Sequence, residues 1–134
     1  MKTRTLELLY KNIRLLIALV WLVNGLFCKV IKLVPRHEQI VGRILGYEYS
    51  SPLTMLIGFS EIVMAIWILS MFKTKLNTVA QILIVMTMNV LEFILVPDLL
   101  LWGRFNAVFA LLFVLLVYYN EFILQKKLIQ EPSL

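Results

Sequence analysis

Four long apolar runs constrain the folding of this 134-residue chain more than any other feature. They cover approximately residues 13–31, 53–72, 76–96 and 105–124, and each is close to the roughly 20 residues that a helix needs to cross a bilayer. Hydrophobic residues make up 61% of the chain and charged residues 16%, which is far more apolar than a soluble domain. The pattern predicts an all-α integral membrane protein, a four-helix bundle in a single domain over residues 1–134, in contact with the lipid bilayer.

The basic residues flank these runs, so we interpret the net charge of +5 as a signal of membrane topology. No nucleic-acid partner is expected. Eight Lys and Arg residues lie in the N-terminal stretch, the turn near residue 74 and the C-terminal stretch, against five in the other two loops. This bias predicts that both termini are cytoplasmic in a bacterial inner membrane. The N-terminal stretch lacks a signal-peptide cleavage pattern, so the first run is expected to be an uncleaved span.

The connection between the first and second runs predicts a short helix. Pro35 stands in its first turn and Gly46 at its end, as is typical of helix boundaries. Its apolar stripe is formed by Ile40, Val41, Ile44 and Leu45. Because the helix is too short to span and has one polar side, we expect it to lie at the membrane interface.

Four polar residues inside the apolar runs are candidates for a site: Asn24 in the first, Glu61 in the second, and Asn89 and Glu92 in the third. A charged side chain at membrane depth costs roughly 2.5 kcal/mol or more, so such residues are candidates for function. With a rise of about 1.5 Å per residue, Glu61 lies about 12 Å and Glu92 about 6 Å below the outer surface. All four therefore belong to the outer half of the bundle.

The two outer loops carry further polar and aromatic residues directly above these four. We therefore predict one outer-leaflet ligand pocket, and its candidate residues are Asn24, His37, Glu61, Asn89, Glu92, Asp98, Trp102 and Arg104. In the first of four interpretations the polar groups are only structural. The carboxylates then pair with Arg36, Arg43 or Arg104, and the amides bridge helices.

The second interpretation is a redox site for a small molecule such as a quinone, in which Glu61 and Glu92 exchange protons and Trp21 or Trp102 stacks on the ring. The third is a metal site of His37, Glu61 and Glu92 with Asp98. It ranks low because the Glu-x-x-His pair of di-iron bundles is missing, so no resident metal is expected. The fourth is a proton or solute pathway that continues inward past Gln81 and Thr78.

The single histidine cannot supply both axial ligands of a haem, and the single cysteine, Cys28, cannot form an intrachain disulfide or hold an iron–sulfur cluster. Neither cofactor is therefore expected. The broad aliphatic faces of the runs are compatible with an oligomer, although Leu-rich surfaces in lipid have no hydrophobic drive to associate.

Four segments resemble the DoxX-like family of small bacterial integral membrane proteins, part of the DoxX/DoxD group: Trp21–Lys29, Pro35–Arg43, Ile57–Glu61 and Asn89–Glu92. The similarity runs from about Leu9 to Leu124. It implies a four-helix membrane bundle, and members are named for a thiosulfate:quinone oxidoreductase subunit or occur beside or fused to oxidoreductases. The family positions carried over are Asn24, Lys29, His37, Glu61, Asn89 and Glu92.

The resemblance thus favours a redox- or quinone-linked membrane component that associates with an oxidoreductase. Relatives that handle disulfides carry cysteine pairs, which this chain lacks. Other relatives resemble cargo receptors or assembly factors. The alternative function is therefore a non-enzymatic scaffold or assembly factor whose intramembrane polar residues are structural.

Overall fold

A computed structural model describes residues 3–30, 36–96, 98 and 105–130, and regular structure within them is helical. Helix α1 is Thr3–Leu22 and continues as a π-helix, the first π-segment, over Val23–Val30. The following helices are α2, Arg36–Leu45, α3, Ser50–Ser70, and α4, Thr74–Leu95. Helix α5, Asn106–Tyr118, continues through the second π-segment, Tyr119–Leu124, into α6, Gln125–Gln130.

Three helices within the described ranges are long and apolar enough to cross a membrane: Ser50–Ser70, Thr74–Leu95 and Asn106–Leu128. They correspond to the second, third and fourth apolar runs. Large apolar side chains such as Phe59, Leu83 and Leu112 are more than half exposed on them, as expected of surfaces in contact with lipid. The chain is therefore a membrane protein.

The first predicted span, residues 13–31, is not among these three helices. Its α-helix begins earlier, at Thr3, and carries Arg4, Glu7, Lys11 and Arg14. The regular α-helix also stops at Leu22, where the π-helical turns begin. The described part of this run, residues 13–30, is therefore α-helical to Leu22 and π-helical from Val23.

The helices pack mainly in two pairs. Helix α1 and the first π-segment lie against α3, while α4 lies against α5. A turn at residues 71–73, in which Met71 and Lys73 adopt left-handed backbone angles, connects α3 to α4, yet these two helices make few contacts with each other. The two pairs therefore separate over part of their length.

The apolar core lies between α1, α3 and α5, where Ile17, Trp21, Met64, Ile68 and Val117 are buried. Closer to α2, the first π-segment meets α3 through backbone at Gly25. A Cβ atom at this position would lie 2.5 Å from the Gly58 carbonyl oxygen and 2.9 Å from the Glu61 Cβ. Only glycine permits this approach, which brings the two backbones together beside Glu61.

Helix α2 closes one end of the bundle by packing on α3, α4 and the first π-segment. It matches the short helix predicted from Pro35 and Gly46. Gly46 ends it with a φ of 105°, and its N–H donates to the Gly42 carbonyl at 2.8 Å, the helix-terminating geometry that glycine favours. We call this end the α2 end, and the end with residues 71–73 the turn end.

Candidate functional site

A cavity of about 820 Å³, the wide cavity, lies at the α2 end between the two helix pairs. Most of its wall is apolar and includes Trp21, Val41, Ile44, Met88 and Phe113. Its ionisable lining residues are Lys29, Arg36, His37, Glu61 and Glu92, and its amides are Asn24, Asn89 and Asn106. This size, with an apolar wall and a few polar groups, is typical of sites for small organic ligands.

The centre of the polar wall is an ion pair between two helices. The Lys29 Nζ lies 2.7 Å from the Glu61 Oε1, and the two side chains are only 6% and 9% exposed. The contact is an attraction between charges, because that oxygen has no well-aligned hydrogen bond. A buried pair of this kind fixes the register of its helices, and the Gly25 contact holds the two backbones close enough to form it.

Lys29 is therefore the ion-pair partner of Glu61. The structural interpretation predicted Arg36, Arg43 or Arg104 in this role. Its place at the end of an apolar run is typical of a topology residue, and only the family resemblance marked it. Because the first π-segment continues the helix to Val30, Lys29 lies beside α3 and is buried.

Glu92 is the second carboxylate of the wide cavity and comes from α4. It is partly buried and interacts electrostatically with both Lys29 and Glu61. Within the described ranges no side-chain hydrogen bond or direct ion pair holds it. Lys29 therefore interacts with two carboxylates and forms a direct ion pair with Glu61 alone among the described residues, which leaves Glu92 available to a ligand.

The three amides of the cavity make different contacts. The Asn24 Nδ2 donates to the Val20 carbonyl at 2.9 Å, within its own helix, and Asn24 forms no bridge to another of the described helices. The Asn89 Nδ2 donates to the Val85 carbonyl at 2.8 Å. Asn106 joins α5 to α4 because its Nδ2 donates to the Asn89 Oδ1 at 3.2 Å.

Helix α2 places Arg36 and His37 against the cavity. Burial, together with the positive charges of Lys29 and Arg36, lowers the pKa of His37 from its usual 6.5 to about 4. The imidazole is therefore neutral at physiological pH, where it can donate one hydrogen bond and accept another.

One of the candidate residues that the structure describes, Asp98, does not line the wide cavity. Asp98 faces outward, with its side chain 62% exposed, and its Oδ1 lies 2.5 Å from the Arg43 Nη1. The hydrogen bond from the Arg43 guanidinium holds the pKa of Asp98 below its usual value. Trp102 and Arg104 lie outside the described residues. The other five, Asn24, His37, Glu61, Asn89 and Glu92, all line the cavity.

Trp21 forms the inner wall of the cavity and begins a hydrogen-bonded chain toward the turn end. Its Nε1 donates to the Gln81 Oε1 at 2.8 Å, and the Gln81 Nε2 donates to the Asn77 Oδ1 at 2.7 Å. Both acceptor residues are buried. This chain separates the wide cavity from the polar groups at the turn end.

The metal interpretation gains no support from this geometry. Across the described ranges, no three His, Cys, Asp or Glu residues are grouped closely enough to hold a metal ion. His37, Glu61 and Glu92 line the same cavity without forming such a group. The arrangement instead offers hydrogen-bond donors and acceptors beside an apolar wall.

A sequence model described as the DoxX-like family matches residues 18–119. The matched range contains all the residues that line the wide cavity. No significant match to a curated protein was found, and none to a solved structure.

Proposed function

The chain belongs to the DoxX-like family, and on this premise we propose that its wide cavity binds the head group of a quinone or of a similar amphipathic molecule. One observation carries the proposal: an apolar cavity of about 820 Å³ contains a buried Lys29–Glu61 pair and a second carboxylate, Glu92. The protein would act as a redox-linked membrane component beside an oxidoreductase.

We place the protein in the bacterial inner membrane as a four-pass bundle with both termini cytoplasmic. The first crossing then combines α1 with the first π-segment, and α2 lies at the outer interface. The packing of α1 against the second π-segment and α6 supports this placement, because it brings the two terminal stretches, with their basic residues, to one end of the bundle. Positive charge is typical of cytoplasmic ends.

The polar wall matches the chemistry of a quinone head group. Quinone carbonyls accept hydrogen bonds, which Lys29, Arg36 and the neutral His37 can donate. Reduction to a quinol adds two electrons and two protons and creates two hydroxyl groups. Glu61 and Glu92 can accept hydrogen bonds from these hydroxyl groups. The partner oxidoreductase would supply the electrons, and the carboxylates would exchange the protons. The apolar wall would hold the ring and the first part of the tail.

A titration with a short-tailed ubiquinone or menaquinone analogue tests this proposal. The purified protein in nanodiscs is titrated while tryptophan fluorescence is followed, because quinones quench nearby indoles and Trp21 lines the cavity. We expect saturable quenching whose amplitude falls in Trp21→Phe, because the chain also contains Trp67 and Trp102. Quenching of unchanged amplitude in this variant would place the quinone away from Trp21.

Glu92→Gln tests the polar wall without changing its shape. Removing a hydrogen bond to a charged group costs about 1.5–3 kcal/mol, so affinity should fall roughly 10- to 150-fold. Glu7→Gln is the matched control, since Glu7 is exposed in α1 far from the cavity, and it should bind as the wild type does. Equal affinities in all three proteins would contradict the redox-site proposal.

The scaffold alternative is favoured by one observation, the mutual neutralisation of Lys29 and Glu61 at 2.7 Å. In that case the carboxylates only hold helices together. Glu61→Gln would then lower thermal stability, and neither the wild type nor the variant would bind a quinone analogue. Saturable binding of a quinone analogue by the wild type would therefore support the quinone site and contradict the scaffold.

A further inference from the structure

A second, much smaller cavity lies at the turn end of the bundle. This narrow cavity has a volume of about 30 Å³, and its polar lining residues include Tyr10, Arg14, Asn77, Gln81, Asn120 and Glu121. A cavity needs about 10–15 Å³ to hold one water molecule, together with two to four polar partners. The narrow cavity therefore has room for one or two water molecules and for no organic ligand.

Three buried polar atoms of its lining lack a hydrogen-bond partner among the described residues: the Arg14 Nε, the Asn120 Oδ1 and the Glu121 Oε1. Asn120 and Glu121 are each only 5% exposed. Buried polar groups in native proteins are almost always bonded to protein or to ordered water, and an unsatisfied one costs about 1–3 kcal/mol. The three residues that carry these atoms all line the narrow cavity, which indicates a shared partner.

The neighbouring groups are already bonded. The Tyr10 hydroxyl donates to the Glu121 Oε2 at 3.3 Å, and the Arg14 guanidinium lies 5.5 Å from the centre of the Tyr10 ring. Gln81 and Asn77 are bonded to each other. The unsatisfied set is thus reduced to one donor and two acceptors, which matches one water molecule that accepts one hydrogen bond and donates two.

The second π-segment explains why two polar side chains enter this region. Asn120, Glu121 and Leu124 of the segment are all buried. π-Helical turns within α-helices are rare and occur frequently at functional sites. Here the turn brings Asn120 and Glu121 to the same cavity, opposite Arg14 of α1.

We propose that the narrow cavity is a hydration site in which ordered water accepts a hydrogen bond from the Arg14 Nε–H and donates to the Asn120 Oδ1 and the Glu121 Oε1. The water joins α1 to the second π-segment and links the Arg14 and Glu121 charges without a direct ion pair. This site does not depend on the function proposed for the wide cavity.

The hydration site is separated from the wide cavity by Trp21. The bonded chain from Asn77 through Gln81 ends at the Trp21 indole, which only donates hydrogen bonds. This hydrogen-bonded chain therefore offers no proton acceptor at its Trp21 end, beside the wide cavity.

Nuclear magnetic resonance of the full chain in detergent micelles tests the hydration site. The probe is the dipolar cross-peak between water and the Arg14 Nε–H, which is distinguished from chemical exchange by its sign in the rotating frame. We expect a dipolar cross-peak in the wild type. Its absence, or a direct hydrogen bond from the Arg14 Nε to a Glu121 oxygen, would overturn the proposal.

Asn120→Leu removes one acceptor and fills the cavity with a side chain of similar size. The cross-peak at Arg14 should disappear in this variant and persist in the control Asn106→Leu, which changes an amide of the wide cavity. If Asn120→Leu does not fold, Thr78→Leu fills the same cavity from α4 and should also abolish the cross-peak. A cross-peak that survives in a folded, cavity-filled variant would contradict the proposed location of the water.

Discussion

Replacing Gly25 by alanine should loosen the contact that holds the Lys29–Glu61 pair together. The added Cβ would lie 2.5 Å from the Gly58 carbonyl oxygen, 2.9 Å from the Glu61 Cβ and 3.0 Å from the Ile62 nitrogen. Two of these three atoms belong to the backbone, so no side-chain rotation relieves the overlap. The first π-segment and α3 must therefore move apart.

Two opposing effects set the magnitude. Overpacking of this kind costs about 1–3 kcal/mol, while alanine is favoured over glycine in a helix by about 1 kcal/mol. Because the separation also lengthens the 2.7 Å contact between Lys29 and Glu61, we expect net destabilisation. The apparent melting temperature should fall by several degrees, and quinone-analogue affinity should fall with it.

The assay is thermal unfolding in nanodiscs, followed by circular dichroism, with the fluorescence titration on the same samples. Ser60→Ala is the control, because Ser60 is exposed on α3 beside Glu61 and its hydroxyl bonds only to its own helix. It should leave both quantities unchanged. A Gly25→Ala protein that melts at a higher temperature than the wild type would refute the close backbone approach.

Three further predictions concern the charges at the α2 end. Lys29→Met leaves Glu61 buried without its partner and should lower the free energy of unfolding by about 3–5 kcal/mol. Adding Glu61→Gln to this variant should recover part of the loss. If the losses measured by chemical denaturation are additive, the two residues do not interact. Because the folded pKa of His37, about 4, lies below its ordinary 6.5, the unfolded state binds the extra proton between these values. Stability should therefore fall as the pH drops from 6.5 to 4, and His37→Gln should remove that part of the dependence when unfolding is measured at both ends of the window. Arg43→Gln breaks an exposed pair with Asp98 and should leave the melting temperature nearly unchanged in low and high salt; a large drop would show that this pair holds α2 in place.

Much of the fold follows directly from the sequence. Apolar runs of span length predicted the positions of α3, α4 and α5, and Pro35 with Gly46 predicted α2, because run length and helix-terminal residues are local properties. The two π-segments were not predicted. Both segments contact another helix, at Gly25 and at Glu121, and contacts between distant residues are not encoded in a local pattern.

The site was partly predictable for a similar reason. The helical rise places Glu61 and Glu92 near the same end of their helices, and both line one cavity with Asn24 and Asn89. Asp98 lies in a loop, where no helical period fixes the direction of a side chain, and it faces outward. Lys29 and Asn106 lie at the ends of apolar runs, where polar residues normally reach toward water.

The polar groups at the turn end lie inside the apolar runs but close to their ends. Arg14 is the second residue of the first run, and Asn120 lies near the end of the fourth. Glu121 follows Asn120 directly, and both are buried. A carboxylate among apolar residues was the available signal, since the same reasoning had singled out Glu61 and Glu92.

Photolabelling with an azidoquinone tests the central claim, the binding of a quinone head group in the wide cavity, most directly. The labelled protein in nanodiscs is digested, and the modified residues are identified by mass spectrometry with and without an excess of unlabelled quinone. We predict adducts on cavity residues such as Trp21, Met88 and Phe113 that the competitor suppresses. Adducts confined to lipid-facing residues such as Phe59 and Leu83, and unaffected by the competitor, would contradict it.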